Sequence, residues 1–446
     1  MIGAKIQKFM TLWGSMVRQQ GTLRNTRPIM SSNAPSQPVA ARAALHYRDF
    51  RFFLAIRFAA GAGQLMQSVA VGWQVYAITH QALDLGLLGL VLFLPQILLS
   101  LIAGHVADHF ERRSIMAICL GIEALCSGSL LVLSWNGLTT VLPIFLTMTV
   151  FGIARAFLGP AMQSLVPLLV SKEHFPNAVA WNSQAFQIAV VMGPALGGVL
   201  YGFGAVVVYG VVTALLLLAV LSTVCIASRL KLVQNHDDGS GLHRLFAGVR
   251  FVRANPILLG AISLDLFAVL FGGATALLPL YARDILMVGP WGLGFLRSAP
   301  AIGAASCALW LAHHPPKNHL GHIMFACVGG FGLATIVFGL STQFLLSMIA
   351  LIAIGGFDMV SVYVRQSLVQ LGTPDSMRGR VSAVNLVFIG ASNDLGEFES
   401  GLTAAWFGAV PAVVLGGVGT LLVVGLWAWR FKALRQIDRL DQMQGE

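Results

Sequence analysis

From near Phe50 to Arg430 the chain is a succession of apolar runs, each of roughly 20 residues or more, the length a helix needs to cross the hydrocarbon of a bilayer. A helix satisfies its own backbone hydrogen bonds where there is no water to do so, which is why such runs constrain folding more than any other feature of the sequence. Twelve spans are predicted, near 50–78, 84–104, 114–135, 141–169, 177–200, 204–228, 256–282, 291–312, 322–341, 344–369, 380–408 and 411–430. Only 10% of residues are charged, against about 25% in an ordinary soluble domain, and 57% are hydrophobic, so most of the surface must meet lipid. The expected fold class is an all-α membrane protein.

Within this frame the chain repeats itself. Gln163-Ser-Leu-Val166 recurs at Gln366-Ser-Leu-Val369, and the same offset carries Gly152 onto Gly355, Asn182 onto Asn385, Gly193 onto Gly396 and Gly198 onto Gly401. One residue of slippage then superposes Phe203-Gly-Ala-Val206 on Phe407-Gly-Ala-Val410. A duplication of this extent in an apolar chain predicts two pseudo-symmetric six-helix bundles enclosing a site between them, the arrangement of secondary transporters. The expected organisation is a basic cytoplasmic arm over 1–48, a first bundle over 49–228, a cytoplasmic linker over 229–255, a second bundle over 256–431 and a cytoplasmic tail over 432–446.

Charge placement sets the expected orientation. Of 28 Lys and Arg residues, 23 fall in the termini and even-numbered connections, Arg283 alone falls in an opposite-side loop, and Arg57, Arg155, Arg297 and Arg365 fall within spans. Both termini are therefore expected in the cytoplasm. The net charge of +10 then reports orientation; no soluble basic domain exists to support nucleic-acid binding. Trp73, Trp135, Trp291 and Trp406 fall near predicted outer ends, and Trp181, Trp310, Trp427 and Trp429 near inner ends, as interfacial belts require. Residues 1–48 lack the uninterrupted apolar core of a signal peptide. They read either as a genuine arm or as a start codon placed upstream of Met16 or Met30. In the linker, Leu242, Leu245, Phe246, Val249 and Val252 recur at helical spacing between Arg244, Arg250 and Arg253, which suits a helix lying on an anionic leaflet. The five cysteines lie inside apolar runs, so neither a disulfide nor a zinc site is expected.

Several charges stand where lipid should be. Glu123, Arg155, Asp265, Arg297, Asp358, Asp394, Glu397 and Glu399 all fall inside spans, where a centrally placed charge costs about 2.5–3.5 kcal/mol on insertion scales, so each must face a partner or water. Asp358 is the repeat counterpart of Arg155, which predicts opposite charges at matching depths and a possible ion pair or shared proton site. Asp394 and Glu397 are three residues apart on one helix face, with Glu399 rotated away. Neighbouring carboxylates at low dielectric share a proton readily, as coupling to a gradient requires. Candidate proton-coupling residues are accordingly Arg155, Asp358, Asp394, Glu397, Asp265 and Glu123, each with the alternative of a satisfied interhelical contact. Gln64, Gln67 and Ser68 share one face of the first span and are candidates for binding a polar cargo or for helix packing.

Between spans two and three, Gly104-His-Val-Ala-Asp108-His-Phe-Glu-Arg112-Arg113 resembles the signature loop of the major facilitator superfamily. That likeness implies a gating role for Gly104, Asp108, Arg112 and Arg113, whose charges would pair with helix ends in one conformation only. Gly193-Pro194-Ala-Leu-Gly197-Gly198 is similar to the motif of its antiporter branch, with Ala189 where a preceding glycine is usual. Arg155-Ala-Phe-Leu-Gly159 resembles Arg-x-x-Gln-Gly, with Leu158 in place of glutamine, and implies that Arg155 takes part in proton movement. Leu245 to Pro256, Gly372 to Arg380 and Phe157 to Ala161 look like the branch that includes the enterobactin exporter and macrolide efflux proteins. The second-half counterpart of the charged loop, His313 to His322, has no acid; its four histidines read as a solvated loop or, less simply, a metal site.

No phosphate-cradling loop is present, since none of the six lysines follows a glycine, and no nucleophile elbow or metal-ligand pair stands out. An enzyme is not expected, nor any cofactor. The resemblance implies a proton-driven exporter of a small amphipathic molecule, siderophore-like or a lipophilic drug, working as a monomer with protons and membrane lipids as its other partners. A lysophospholipid flippase or importer on the same scaffold, and a transporter-like sensor that moves nothing, remain as alternatives.

Overall fold

The computed structural model describes residues 42–227, 241–316 and 318–438. Most of the predicted arm and the flexible part of the linker thus lie outside the described residues, as do the side chains of Asp108, Ser376 and residues 241–245. A short 3-10 turn, Ala43–His46, precedes α1 (Arg48–Thr79), α2 (Ala82–His109), α3 (Arg112–Trp135), α4 (Leu142–Leu169), α5 (Phe175–Tyr201) and α6 (Ala205–Cys225). The second half begins with α7 (Gly241–Ala254) and α8 (Pro256–Phe271), followed by α9 (Gly289–His313), α10 (Leu320–Leu340), α11 (Phe344–Leu371), α12 (Asp375–Phe407), α13 (Ala409–Arg430) and the single turn α14 (Lys432–Arg435). No strand is present among the described residues. Ten helical segments are long and apolar enough to cross a membrane, one of them Pro256–Ile285, which runs from α8 through the turns that follow it; α1 and α12, of 32 and 33 residues, are longer but more polar.

Helix limits follow local chemistry. Asn255 caps α8 by accepting from Ile257 N and Leu258 N at 3.1 and 3.2 Å, and Pro256 occupies the first position, where a missing N–H costs nothing. Gly204 and Gly408, repeat counterparts with φ of 114° and 89°, end the connections into α6 and α13 in a backbone conformation that L side chains rarely adopt. The predicted continuous span 256–282 is instead broken. After α8 the chain passes Gly272-Gly273, a 3-10 turn (Ala274–Leu277) and a π-helical turn (Tyr281–Ile285) before α9. Adjacent glycines weaken the helix there, and a Cβ on Gly273 would run into the backbone of Gly396 in α12. The break therefore lets α8 and α12 approach closely.

Helices of the first half pack among themselves, α1 on α5 and α6, α3 on α4 and α6, α2 on α4. Those of the second half do likewise, α9 on α11, α10 on α11 and α13, α8 on α12 and α13. The two halves meet along α5 against α9 and α2 against α12. Both seams are glycine on glycine. A Cβ on Gly198 would lie 2.5 Å from Pro290 O and 2.6 Å from Gly294 Cα, and one on Gly401 would lie 2.6 Å from Gly86 Cα. Gly198 and Gly401 are the repeat counterparts of one another, so the duplication seen in sequence is used as a duplicated close approach between halves.

These contacts lie toward the ends of α5 and α12 and the beginnings of α2 and α9. A third contact at that end joins the halves through polar groups: the Tyr76 hydroxyl donates to Asp284 Oδ2, and Arg283 Nη1 donates to Tyr76 O at 3.4 Å. Toward the opposite end, Cβ positions on Gly104, Gly159, Gly379 and Gly390 meet nothing within 4 Å. The halves are shut against each other at the end where α1 finishes and are not packed tightly where it begins.

Candidate functional site

Just beneath the closed seams, charges from both halves converge at mid-helix depth. Glu123 of α3 is completely buried and accepts from Gln64 Nε2 of α1 through both carboxylate oxygens, at 3.1 and 3.0 Å. Arg155 of α4 is exposed on its helix in the neighbourhood of Glu123 in its own half and of Asp394 of α12 in the other, with no ion pair to either among the described residues. One turn further along α12, Glu397 Oε1 lies 3.9 Å from Arg297 Nη2 of α9. Glu397 also packs on α2, where a Cβ on Gly89 would stand 3.1 Å from its Oε2. Glu123, Arg155, Asp394, Glu397 and Arg297 thus make up a layer of three acids and two arginines at the boundary between halves. Glu399 faces away from it and accepts from Thr403 Oγ1 on its own helix at 2.8 Å.

A second cluster lies wholly in the second half. Arg365 of α11 is 2% exposed, and its Nη1 donates to Asp265 Oδ2 of α8 at 3.2 Å and to Asn385 Oδ1 of α12 at 3.0 Å. Asp358, two turns before Arg365 on α11, lines the same small cavity as Asp265. Among the described residues no ion pair joins Asp358 to Arg155. The matching depth expected from the repeat is not a matching position across a common cavity, because each of the two residues faces partners of its own: Arg155 the seam between halves, Asp358 the interior of one half.

The other predicted residues divide in the same way. Gln64 belongs to the charged layer. Gln67, expected on the same face, is fully buried against α4, with Nε2 3.4 Å from Met148 Sδ, so it packs helices rather than facing the boundary; Ser68 is half-buried. Gly193 and Gly197 let α5 press against α1, since their Cβ positions would fall 2.9 Å from Leu65 Cβ and from Met66 Cα, while Gly198 makes the seam with α9. Pro194 follows Gly193 within α5, where it removes a backbone donor. In the charged loop α2 ends at His109 and α3 begins at Arg112, leaving a two-residue turn. Arg113 Nη2 donates to Val224 O at 2.6 Å and so caps the end of α6; Arg112 Nε is buried without a hydrogen-bond partner. His319 Nδ1 lies 2.8 Å from Asp438 Oδ1, which ties the histidine loop to the segment after α14, and no group of metal-ligating side chains occurs among the described residues.

Arg365 and Asn385 carry the second cluster without having been assigned a role from sequence. A signal was available. Shifted by the repeat offset, Asp265, Ser361 and Arg365 fall on Ala62, Leu158 and Met162, all apolar, so this polarity was placed in one copy only.

With this geometry described, comparison with known proteins is informative. The family model described as "Transmembrane secretion effector" matches residues 39–446. The enterobactin exporter EntS of Escherichia coli is 25% identical over 378 residues, covering 84% of this chain and 86% of its own length. The EntS of Shigella boydii gives the same figures. Among solved structures, a bacterial homologue of the human lysosomal transporter Spinster, inward-facing and occupied, superposes with a TM-score of 0.69 at 14% identity, covering 86% of this chain and 97% of that one. A bacterial homologue of the iron transporter ferroportin in an inward-facing state gives 0.64 at 15% identity, covering 85% and 98%. At these identities the structures establish a shared fold and no more.

Proposed function

The chain belongs to the transmembrane secretion effector family of the major facilitator superfamily, a multi-pass membrane transporter and not an enzyme, and from that premise we propose that it exports a small amphipathic molecule in exchange for protons. In this reading α1 and α12 join the ten apolar helices to give twelve crossings in two six-helix bundles, 49–228 and 256–431, joined by a linker over 229–255. The closed end faces out of the cell, both termini lie in the cytoplasm, and the membrane is the bacterial inner one. The favoured cargo is siderophore-like, with lipophilic drugs next, because the relatives matched over most of the chain are described as enterobactin exporters.

The observation that carries the proposal is Glu397 of α12, which packs across the boundary on Gly89 of α2 and lies 3.9 Å from Arg297 Nη2, with Asp394 one turn earlier on the same helix. Acids seated at a boundary between two moving bodies couple charge to conformation: when the halves part at this level, Glu397 and Asp394 exchange a packed protein surrounding for water and can take up or release a proton. Glu123 and Arg155 belong to the same layer, and Gln64 holds Glu123 in place. The charged loop fits the complementary role. The space open around Gly104 in this conformation leaves room for a helix end of the other bundle to approach when the cytoplasmic side closes, with Asp108, Arg112 and Arg113 forming the latch.

Reconstitution into proteoliposomes tests this. Catecholate siderophores, lysophospholipids and lipophilic dyes are offered with and without an imposed pH gradient, and counterflow is measured in parallel. Gradient-stimulated transport of a siderophore or dye is expected. Stimulation confined to lysophospholipid would make the protein a flippase, and saturable binding without exchange would make it a sensor.

A further inference from the structure

Inside the second half, a small cavity with room for roughly one water molecule lies between α8, α10 and α11, lined by Asp265, Ala268, Val269, Val328, Phe331, Phe357, Asp358 and Ser361. It is distinct from the charged layer between the halves. Its polar groups are placed in a way that hydrogen bonding within the protein does not explain. Ser361 is 2% exposed and its Oγ has no hydrogen-bond partner. A buried serine in a helix ordinarily donates to the carbonyl one turn back, as Ser367 does on the same helix, to Tyr363 O at 2.9 Å. Asp358 and Ser361, three residues apart, share a face of α11 and look across at Asp265 on α8. No donor among the described residues is bonded to the Asp358 carboxylate.

The charge count is equally pointed. The groups facing this space are Asp265 from α8, Asp358 and Ser361 from α11 and, behind Asp265, Arg365 with Asn385 of α12; α10 contributes only Val328 and Phe331. Arg365 is committed to Asp265 and Asn385, so with both carboxylates ionised the set carries a single negative charge in an apolar interior, where an uncompensated charge is costly. One monovalent cation restores neutrality, whereas a divalent ion would leave the opposite excess. Two carboxylates and a hydroxyl around a water-sized space are an all-oxygen ligand set, the kind that hard cations prefer. A proton with one bridging water is the competing way to neutralise this charge and fill the space, and sodium titration at two pH values distinguishes the two. We infer that Asp265, Asp358 and Ser361 form a sodium-ion site in the second half, entered from the side of Asp358, which is the partly exposed member of the set.

This inference needs neither cargo nor gradient, so its test stands apart from the transport reading. Full-length purified protein in detergent is titrated with radioactive sodium at constant ionic strength and fixed pH, with choline as the replacement ion, and its thermal stability is followed in the same series. Wild type should bind one sodium per chain saturably and melt at higher temperature in sodium than in choline. Asp358→Asn should abolish both effects. Ser361→Ala, which removes one ligand and no charge, should weaken sodium binding by about tenfold. Glu399→Gln, which removes an acid of the same half outside the cavity, should bind as wild type does. Should Asp358→Asn fail to fold, Ser361→Ala decides alone. Absence of saturable sodium binding at each of two pH values, or undiminished binding by Ser361→Ala, would overturn the assignment.

Discussion

The glycine seams offer the sharpest test of the conformational account. Replacing Gly198 by alanine places a Cβ 2.5 Å from Pro290 O and 2.6 Å from Gly294 Cα, and replacing Gly401 places one 2.6 Å from Gly86 Cα and 2.7 Å from Gly86 N. Carbon atoms rest at about 3.5–4.0 Å, so each seam must open by roughly 1 Å. The obstruction is backbone on both sides, which cannot rotate away as a side chain could. Overpacking of this kind costs about 1–3 kcal/mol, and the cost falls only on the state in which the seam is shut. Destabilising one state of a two-state equilibrium by that amount shifts the population ratio by about 5- to 150-fold. The readout is the distance between spin labels at Asn136 and Gln343, exposed positions beside the closed end in opposite halves, measured by pulsed electron paramagnetic resonance in liposomes. Gly198→Ala and Gly401→Ala should each enlarge the long-distance population, and the double variant more so. Gly425→Ala, whose Cβ meets nothing within 4 Å, should leave the distribution unchanged. Distributions identical to wild type in both seam variants would refute the reasoning.

Three further outcomes are expected. Asp265→Asn leaves the Arg365 guanidinium buried without its carboxylate, which should cost about 3–5 kcal/mol and appear as a lower melting temperature and folded yield, with Arg365→Gln on the same background restoring part of the loss. Single cysteines at Asn136 and Gln343 should react with impermeant reagents added to intact cells, and ones at Lys172 and Asp375 should not; the reverse pattern would invert the topology. Asp108→Asn keeps size and removes charge, so it should alter the balance of conformations read by the same pair of spin labels while the protein stays folded, and unchanged distances would dispose of the latch.

Elements of this molecule differ in how plainly the sequence announces them. Helix existence follows from unbroken apolar length, and nine of the twelve predicted spans appear as continuous apolar helices within a few residues of the expected limits, with a tenth, 256–282, present as an apolar segment broken after Phe271. The break after Phe271 was not visible, because Gly272-Gly273 reads as two tolerated glycines until α12 is known to press against them. The repeat announced the seams more faithfully than the charges. Glycine at a helix crossing is demanded by backbone proximity, which both copies share, so Gly198 and Gly401 kept matching roles. Charges obey a different rule: each must find its own partner, and the partner can come from any helix. Arg155 and Asp358 are aligned in sequence yet face different surroundings, while Asp265 and Arg365, 100 residues apart and unremarkable as a pair, are joined by the packing of α8 on α11. Gln67 illustrates a related point. A face of a helix is legible from spacing, but which neighbour it meets is not.

The central claim is that the charged layer couples protons to cargo. It is tested most directly by measuring gradient-driven uphill transport and gradient-independent exchange, side by side, in proteoliposomes carrying wild type, Asp394→Asn or Glu397→Gln. Neutralising a coupling acid should abolish uphill transport and spare exchange, because the cavity still alternates while no proton is tied to its movement; a merely structural acid would take both activities down together with folded yield. Wild-type uphill transport with unchanged pH dependence in both variants would contradict the account.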